Sequence, residues 1–439
     1  MSVVDNIREA GIVGEGGAGF PTHVKVNCQA ECVIANGAEC EPLLRVDQQI
    51  MQYYPERVAE GVALLMQQTG APRGVIALKD HYTEAIAALE KAIASRPGIE
   101  LHIMKSTYPA GDEQQIVYSV LGRVVPTGGL PLDVGAVVSN VSTLMDISRS
   151  MEGTPLTEKY VTVGGAVNNP ITVKVPIGIS GEELVRAAGG LAREDCAFII
   201  GGPCMGRVSE TADFPVTKTT GGLLAIPRTH GIFHKKSAEL NMQLIQSVCC
   251  QCSMCTQMCP RNALGLRVEP HKAMRSLGAG LDLLGDSANG IFSCCDCGIC
   301  TYYACNFDLK PSKVMQTMKQ GLAGAGVKPR KEVYGPVDGG LELKKLPVSR
   351  MIARLGISEY DVPAPMQMEL LPAMQVRIPL RMHIGAPSVP VVKEGQHVEK
   401  NQLIADIPEK ALGAKIHASI SGTVTAITAE HIEIQGGAA

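Results

Sequence analysis

The sequence predicts a multidomain protein of mixed α/β and α+β class, and three observations support this prediction. The chain has 439 residues, which exceeds the length over which one hydrophobic core keeps growing. Strand-like and helical patterns alternate through residues 1–150, as in a mainly parallel sheet covered by helices. Ten of the fifteen cysteines lie between positions 249 and 305, which indicates a separate metal-binding region.

The N-terminal α/β domain starts with a helical pattern at 2–10, which we expect to cap the domain. The glycine-rich loop GIVGEGGAGFPTHVK follows at 11–25. Next come a strand-like segment at 31–42, a helix through 47–68, a strand at 74–79, a helix at 83–95 and a strand at 101–106. Ligands bind such sheets at the carboxyl ends of the strands. We therefore expect the glycine loop, the NGAECEP turn at 36–42 and YPAGDEQQ at 108–115 to gather at that edge.

Three further regions follow the α/β domain. Strands separated by Gly and Asn-Asn-Pro turns, with a helix after them, predict a small α+β module at 155–225. Residues 236–330 are predicted to be helical and contain the clustered cysteines, and a Gly-, Pro- and Lys-rich linker at 324–348 closes that region. Short strands in two halves at 375–439 predict a small β sandwich of the biotinyl or lipoyl type.

That C-terminal sandwich has two lysines near its glycine turns, Lys410 and Lys415. A carrier domain needs a modifiable lysine at a hairpin tip, but the usual Met-Lys-Met context is missing. We therefore expect a docking or structural module instead of a swinging arm.

Composition excludes some classes of function. The formal net charge is −3 and no long Lys/Arg run occurs, which argues against a nucleic-acid partner. No apolar run approaches the roughly 18 to 20 residues that span a bilayer, and the N-terminus lacks the pattern of a signal peptide. We expect a soluble protein that is not exported.

The clustered cysteines form two runs, CCQCSMCTQMCP at 249–260 and CCDCGICTYYAC at 294–305. The first has the C-x2-C-x2-C-x3-C-P spacing of bacterial ferredoxins, whereas the second has one more residue before its last cysteine. In two-cluster ferredoxins the fourth ligand comes from the other run. We therefore predict two [4Fe–4S] clusters, with the ligand sets Cys249, Cys252, Cys255 and Cys305 for the first and Cys294, Cys297, Cys300 and Cys259 for the second.

Zinc is the alternative metal, but it typically takes two C-x2-C pairs separated by a longer loop. Cys250 and Cys295 lie beside first ligands and are either spare ligands or packing residues. The five cysteines outside the runs are expected to be buried free thiols: Cys28, Cys32, Cys40, Cys196 and Cys204. Seven basic residues either offset the charge of an anionic cluster or form a solvated helix face: Arg228, Lys235, Lys236, Arg261, Arg267, Lys272 and Arg275.

The glycine loop matches a dinucleotide-binding fingerprint only in its spacing. Gly14, Gly16 and Gly19 fit G-x-G-x-x-G, but the loop follows a helix and Pro21 interrupts it. A Rossmann fingerprint should follow a strand and lead into a helix. The spacing alone is therefore weak evidence for that motif.

Four segments in order, GEGGAGFPTHVK, NGAECEP, YPAGDEQQ and VVSNVSTL, resemble the flavoprotein subunit of respiratory complex I and the C subunit of Rnf electron-transport complexes. The resemblance implies a Rossmann-like FMN- and NADH-binding domain over 1–150, a β-grasp (SLBB) domain over 155–225, a helical ferredoxin-type domain with two [4Fe–4S] clusters over 236–330, and a barrel-sandwich hybrid domain over 375–439.

The same resemblance implies roles for individual residues. It assigns the FMN phosphate loop and its partner to Gly14, Gly16, Gly17, Gly19 and Lys25, flavin contacts to Asn36 and Asn140, the pocket lining to Tyr108, Asp112 and Glu113, and the nicotinamide nucleotide to Phe20 and Glu39. Glycines allow close backbone approach to a phosphate, and a lysine neutralises it. Two positions depart from complex I, which has an arginine where Glu15 stands and an acid where Ala38 stands.

Domain order distinguishes the two resemblances. In Rnf C subunits the HIGAP-containing sandwich precedes the flavin domain, whereas here RMHIGAPSVPVVKEGQ lies at 381–396, after the cysteine runs. This order and the irregular second cysteine run resemble the cobalamin reductases of propanediol-utilisation microcompartments. His383 within this segment is a conceivable cobalt ligand, but it belongs to a stretch shared with Rnf subunits and is expected to be structural.

The second resemblance implies a complete electron path. NADH would reduce FMN, and electrons would pass through the clusters to cob(III)alamin and cob(II)alamin, giving cob(I)alamin for adenosylcobalamin regeneration in propanediol degradation. Implied partners are a cobalamin adenosyltransferase and shell proteins of a bacterial microcompartment in the cytoplasm, and an oligomer is possible. Two alternatives stay open: the electron-input subunit of an Rnf-like complex, and a non-redox, metal-stabilised scaffold.

Overall fold

The computed structural model describes residues 1–237, 239–333 and 335–437. Within these ranges no helix is long and apolar enough to cross a membrane. The chain forms a parallel α/β layer, a six-stranded mixed sheet, a helical region with the cysteine runs, and two small C-terminal sheets. The predicted combination of α/β and α+β domains is confirmed.

The N-terminal domain contains a four-stranded, fully parallel sheet in the order β3-β2-β1-β5. The strands of this domain are β1 (Cys32–Asn36), β2 (Arg73–Lys79), β3 (Ile99–Met104), β4 (Thr107–Tyr108) and β5 (Ala136–Asn140). Strand β4 lies outside the four-stranded sheet. The helices of this domain are α1 (Val3–Glu9), α2 (Thr22–Lys25), α3 (Val46–Tyr53), α4 (Pro55–Thr69), α5 (Thr83–Ile93), α6 (Glu113–Leu121) and α7 (Val141–Ser150). The predicted parallel layer is confirmed.

Helix α1 caps this domain as expected. Ser2 and Asp5 form a reciprocal capping box at its start, and Ile7 is buried in the domain core. The single helix predicted at 47–68 is wrong, because Pro55 has no N–H and cannot continue a helix that precedes it. Pro55 instead occupies the first position of α4, where a missing N–H is tolerated.

The carboxyl ends of the neighbouring strands β1 and β5 lie next to each other. Asn36 and Asn140 are register partners at the ends of β1 and β5. Both strands are buried on both faces along most of their length, as expected where helices cover a parallel sheet. The polar residues that follow these strands therefore meet at one edge.

The second region holds the strands β6 (Glu158–Gly165), β7 (Ile171–Pro176), β8 (Cys196–Ile200), β9 (Arg207–Ser209) and β10 (Gly222–Pro227), with helix α8 (Gly181–Ala187). The helical region follows, with α9 (Gly231–Lys236), α10 (Met242–Val248), α11 (Met254–Gln257), α12 (Pro260–Ala263), α13 (Pro270–Ala279), α14 (Pro311–Gly324), α15 (Leu341–Lys344), strand β11 (Leu346–Pro347) and α16 (Val348–Leu355). Short 3₁₀ turns lie at Pro131–Val134, Gly285–Ser293 and Ser358–Tyr360.

Strand β12 (Met366–Leu370) follows the helical region but belongs to the earlier sheet, whose order is β12-β7-β6-β10-β8-β9. It pairs in parallel with β7. The sheet therefore includes a strand outside the expected 155–225 range. Both ends of the cysteine-bearing segment are consequently held by one sheet.

The extra residue in the second cysteine run is accommodated by a π-helical turn at Cys300–Ala304. A π turn spans one residue more than an α turn and occurs often at functional sites. The segment predicted as a linker at 324–348 instead contains α15 and β11, and β11 pairs with β4 of the first domain.

The C-terminal domain is a pair of small sheets. Its strands are β13 (Gln375–Pro379), β14 (Val389–Pro390), β15 (His397–Val398), β16 (Leu403–Asp406), β17 (Ile416–His417), β18 (Gly422–Ile427) and β19 (His431–Gln435), in the orders β13-β19-β18-β15 and β14-β16-β17. Lys415 is largely buried, with Nζ 2.7 Å from a carboxylate oxygen of Glu9. Because it is held by this ion pair, Lys415 cannot act as a swinging arm.

This domain should lose stability in mild acid because it buries a neutral histidine. Burial, with Lys218 nearby, lowers the pKa of His417 to about 3. An unfolded chain binds a proton at this imidazole below about pH 6.5, whereas the folded chain does not. Stability is therefore complete above about pH 6.5 and falls as the pH drops toward 3. We expect His417→Gln to flatten the pH dependence of the thermal midpoint between pH 6.5 and 4. An unchanged slope would contradict this assignment.

Candidate functional site

The glycine loop approaches the end of β5 closely. A Cβ at Gly16 would lie 2.9 Å from Nδ2 of Asn140, so no side chain fits there. A Cβ at Gly17 would meet nothing within 4 Å. Gly19 has φ +73° and its backbone lies against residues 382–383 of the C-terminal domain. The loop therefore presents an open, exposed tip whose shape requires glycine, which fits a cradle for a phosphate group.

Lys25 and Glu113 come together beside this loop. Lys25 Nζ lies 3.3 Å from Glu113 Oε1, and both side chains are partly exposed. Phe20, at the end of the loop, is 37% exposed. A cation and an exposed ring next to an open glycine tip fit the phosphate and ring of a flavin nucleotide.

The two candidate asparagines use their amides to shape the backbone. Asn36 Nδ2 donates to Gly111 O at 2.8 Å, which joins the end of β1 to the 108–115 segment. Asn140 Oδ1 accepts from Ser142 N at 2.8 Å and caps α7, while its Nδ2 donates to Asp47 at 2.9 Å. Burial raises the pKa of Asp47 to about 6.

Tyr108 and Asp112 direct their polar atoms toward the cysteine region. Tyr108 is buried, and its hydroxyl donates to Cys297 O at 2.6 Å. Asp112 accepts two hydrogen bonds from Arg261, at 2.5 and 2.7 Å, and both side chains are largely buried. Arg261 also donates to Ser293 O at 3.4 Å, next to Cys294. These residues connect the candidate flavin domain to the second cysteine set.

The remaining acids of the candidate site are held inside the protein. Burial, and then the charge of Asp47, raise the pKa of Glu39 well above its usual range. Glu15, the departure from complex I, forms a buried ion pair with Lys159 of β6, with Oε2 2.5 Å from Nζ. Glu15 therefore joins two domains through this ion pair.

Sequence reasoning missed Glu41 in the NGAECEP turn. Its carboxylate accepts from Cys204 N at 2.8 Å and from Met205 N at 2.7 Å. Lys236 donates to Cys204 O and Gly206 O nearby. This network joins the turn to the mixed sheet, and no local sequence signal marks it because its partners are 163 and 164 residues away.

Cysteines from the two runs are neighbours, and the two ligand sets defined above stay a prediction. Burial and the neighbouring thiols of Cys305, Cys252 and Cys249 raise the pKa of Cys255 to about 12. Burial, and then Cys294, Cys259 and Cys255, raise the pKa of Cys300, and Cys255 belongs to the other predicted set. Cys305 thus lies near Cys255 of the first run, and Cys259 lies near Cys300 of the second. Cysteines bind iron–sulfur clusters as thiolates, and neighbouring cysteines from two runs fit this role.

The two sets differ in depth. Cys259, Cys297 and Cys300 are each 8% exposed, whereas Cys252 is exposed. Among the residues that the structure describes, no three Cys, His, Asp or Glu side chains are placed to share a single metal ion.

The neighbouring thiols and basic residues have distinct surroundings. Cys250 is exposed and Cys295 is partly buried. Arg261 makes a buried polar contact and Lys236 a partly buried one. Of the two alternatives for the basic residues, a solvated helix face therefore does not apply to Arg261 and Lys236. Of the five isolated cysteines, Cys32, Cys196 and Cys204 are buried, while Cys28 and Cys40 are partly exposed.

His383 is structural, as expected. It is buried, and its Nε2 lies 3.2 Å from Ala414 N and 3.1 Å from Ala386 O. Burial lowers its pKa to about 4.

Comparison with known families matches each region. Family models match the Nuo51 FMN-binding domain at residues 7–149, the SLBB domain at 160–208, the 4Fe–4S dicluster domain at 248–310 and the RnfC barrel sandwich hybrid domain at 364–438. The first and third matches contain the glycine loop and both cysteine runs.

Similar proteins extend over the whole chain. The cobalamin reductase PduS of Citrobacter freundii is 40% identical over 100% of this chain and 97% of its own length. The cobalamin reductase PduS of Salmonella typhimurium is 40% identical over 99% and 96%. The C subunit of the Na(+)-translocating ferredoxin:NAD(+) oxidoreductase complex of Acetobacterium woodii is 40% identical over 58% of this chain and 56% of its own length.

The likeness to Rnf-type subunits thus covers part of the chain, and the likeness to cobalamin reductases covers all of it. With an FMN-binding domain, a 4Fe–4S dicluster domain and full-length similarity at this identity, the chain belongs to the PduS family of oxidoreductases.

Proposed function

We propose that this protein is an NADH-dependent reductase that transfers electrons through FMN and two [4Fe–4S] clusters to cobalamin. The balance is NADH + 2 cob(II)alamin → NAD⁺ + H⁺ + 2 cob(I)alamin, and cob(III)alamin is reduced beforehand in the same way. The observation that supports this most directly is the contact between Tyr108 of the flavin domain and Cys297 of the second cysteine set.

FMN, when bound, accepts a hydride and releases electrons singly, while iron–sulfur clusters carry one electron at a time. The chain's own residues position these groups. Gly16 and Gly17 leave room at the loop tip, and Lys25 neutralises the phosphate. Phe20, exposed beside them, is available to the nicotinamide nucleotide.

The link between the domains holds the two cofactor regions at a fixed separation. Tyr108 and Asp112 belong to the segment that ends at the candidate flavin edge, and each bonds to a residue beside the cysteines of the second set. The second set is also the deeper one, which keeps water away from its ligands and favours a defined potential.

The Rnf-like alternative receives less support, because Rnf-type subunits match only part of this chain and place the sandwich domain first. As regards partners, we propose a cobalamin adenosyltransferase, which would consume cob(I)alamin, and microcompartment shell proteins. Co-sedimentation of the tagged chain with purified microcompartments tests the second partner, and its exclusion from them would contradict it.

The proposed activity is tested on protein purified without oxygen. We expect bound FMN, iron and sulfide, and NADH-driven formation of cob(I)alamin followed by its absorbance. Lys25→Ala should lower FMN retention about tenfold, because a charge-assisted hydrogen bond to the phosphate is lost. Lys91→Ala, on the exposed face of α5, is the matched control and should behave as wild type.

Two results would contradict this proposal. One is a wild-type protein that takes up neither iron nor FMN on reconstitution. The other is a fully loaded protein that oxidises NADH with ferricyanide but never reduces cobalamin, which would favour the Rnf-like alternative.

A further inference from the structure

A cavity of about 400 Å³ lies apart from the glycine loop, between the first domain and the helical region. This volume is within the range of small-molecule sites, about 300–1,000 Å³. Of the candidate flavin and nucleotide residues, only Tyr108 lines it. The cavity is therefore distinct from the candidate FMN cradle.

Two segments that are distant in sequence form its walls. One wall is the end of β3, the following loop and one face of α6, and the other is α15 with the residues that follow it. The pairing of Leu346 with Tyr108 between β11 and β4 closes one end. Gln115 Nε2 donates to Pro260 O at 2.8 Å and ties α6 to the floor. The cavity is thus built by defined contacts.

The floor of the cavity borders the second cysteine set. Pro260 directly follows Cys259 and Ile299 directly precedes Cys300, and both residues line the cavity. Tyr108, which also lines it, donates to Cys297 O. A molecule bound here would lie next to the ligands of one cluster.

The lining has an apolar floor and a cationic rim. Three lysines line the cavity, Lys105, Lys344 and Lys345, and Glu342 is the one acid among the lining residues. Lys105 Nζ lies 3.4 Å from Asp80, which is outside the lining. Lys345 Nζ is 2.6 Å from Glu342, and Lys344 is paired with Asp338 outside the lining. The apolar part of the lining includes Pro109, Ala110, Pro260, Ala263, Ile299 and Leu341. Such a surface fits an aromatic or aliphatic group that carries an anion.

We propose that this cavity binds the nucleotide end of a corrinoid, with lysines on the phosphodiester and the apolar floor on the benzimidazole. This inference rests on the proposed function, which supplies the corrinoid as acceptor. A whole corrinoid is too bulky for a cavity of this size, so the corrin ring stays at the mouth. The nucleotide end then lies next to Pro260 and Ile299, which adjoin Cys259 and Cys300.

The test measures binding without electron transfer. Oxidised holoprotein is titrated with hydroxocobalamin by equilibrium dialysis in the absence of NADH, and the affinity is compared with that for cobinamide, which lacks the nucleotide. Lys344→Ala/Lys345→Ala should weaken cobalamin binding about tenfold or more, because two charge-assisted contacts are lost. Cobinamide affinity should change little, and Lys344→Arg/Lys345→Arg should retain cobalamin binding.

Lys393→Ala/Lys410→Ala, at two exposed positions of the C-terminal domain, provides the matched loss of charge and should bind as wild type. FMN content, iron content and NADH–ferricyanide activity report on folding. Unchanged cobalamin affinity in the Lys344→Ala/Lys345→Ala variant would overturn the inference. An equal loss of affinity for cobalamin and for cobinamide in that variant would also overturn it. So would displacement of cobalamin from the wild-type protein by AMP. Wild-type protein that binds cobalamin through these lysines but never reduces it would support the site and contradict the proposed activity.

Discussion

Replacing Cys300 with alanine is expected to remove about half of the bound iron and to abolish NADH-driven reduction of cobalamin. Cys300 is buried within the π turn and belongs to the set that contacts the flavin domain through Tyr108. A [4Fe–4S] cluster needs four thiolates, so its loss should interrupt the path at the point nearest the flavin. Iron analysis and low-temperature EPR of the reduced protein measure the remaining cluster.

Cys250→Ala is the matched control for that experiment. Cys250 is exposed and lies outside both predicted ligand sets, so iron content and activity should match wild type. If Cys300→Ala kept its full iron content, the ligand assignment would be wrong. NADH–ferricyanide activity in this variant should persist, because the first domain is unchanged.

The second large effect is expected for Arg261→Ala, which breaks the buried ion pair with Asp112. Removing one partner leaves a buried carboxylate without compensation, which costs about 3–5 kcal/mol in comparable pairs. We expect a lower midpoint of urea denaturation and weaker coupling between the first domain and the cysteine region. Unfolding followed by flavin fluorescence and by cluster absorbance measures both effects.

A surface pair supplies the comparison. Arg73 and Glu100 are 2.6 Å apart but largely exposed, and such pairs contribute about 0–1 kcal/mol. Arg73→Ala should therefore shift the midpoint little. The double variant Arg261→Ala/Asp112→Asn should recover part of the loss, because no unpaired charge remains. Equal shifts for Arg261→Ala and Arg73→Ala would show that the buried pair has no special role.

Local patterns predicted much of this fold because they reflect short-range physics. The parallel order of the first sheet follows from alternating strands and helices, and the cysteine spacing predicts the two ligand sets. The break at Pro55 was also readable, since proline lacks the N–H that an interior helical position needs. The interpretation of 47–68 as one helix disregarded this proline.

Long-range pairings could not be predicted in this way. Strand β12 joins a sheet whose other strands end at Pro227, and nothing in MQMEL specifies that partner. In the sequence, Arg261 is one of several basic residues in its region. Its partner Asp112 is 149 residues earlier, so this ion pair could not be predicted. The contacts of Tyr108 and Asp112 with the cysteine region could not be predicted for the same reason, because their partners belong to another domain.

The C-terminal domain packs directly on the N-terminal loop. Ile384 N donates to Gly19 O at 3.1 Å, and Lys218 Nζ donates to both Gly11 O and Lys415 O, at 2.6 and 2.7 Å. The C-terminal domain contacts the first residues of the flavin domain. It can therefore pack at this position whether it is encoded before or after the flavin domain. Circular rearrangement of a gene could therefore give the two domain orders while the assembled architecture stays the same.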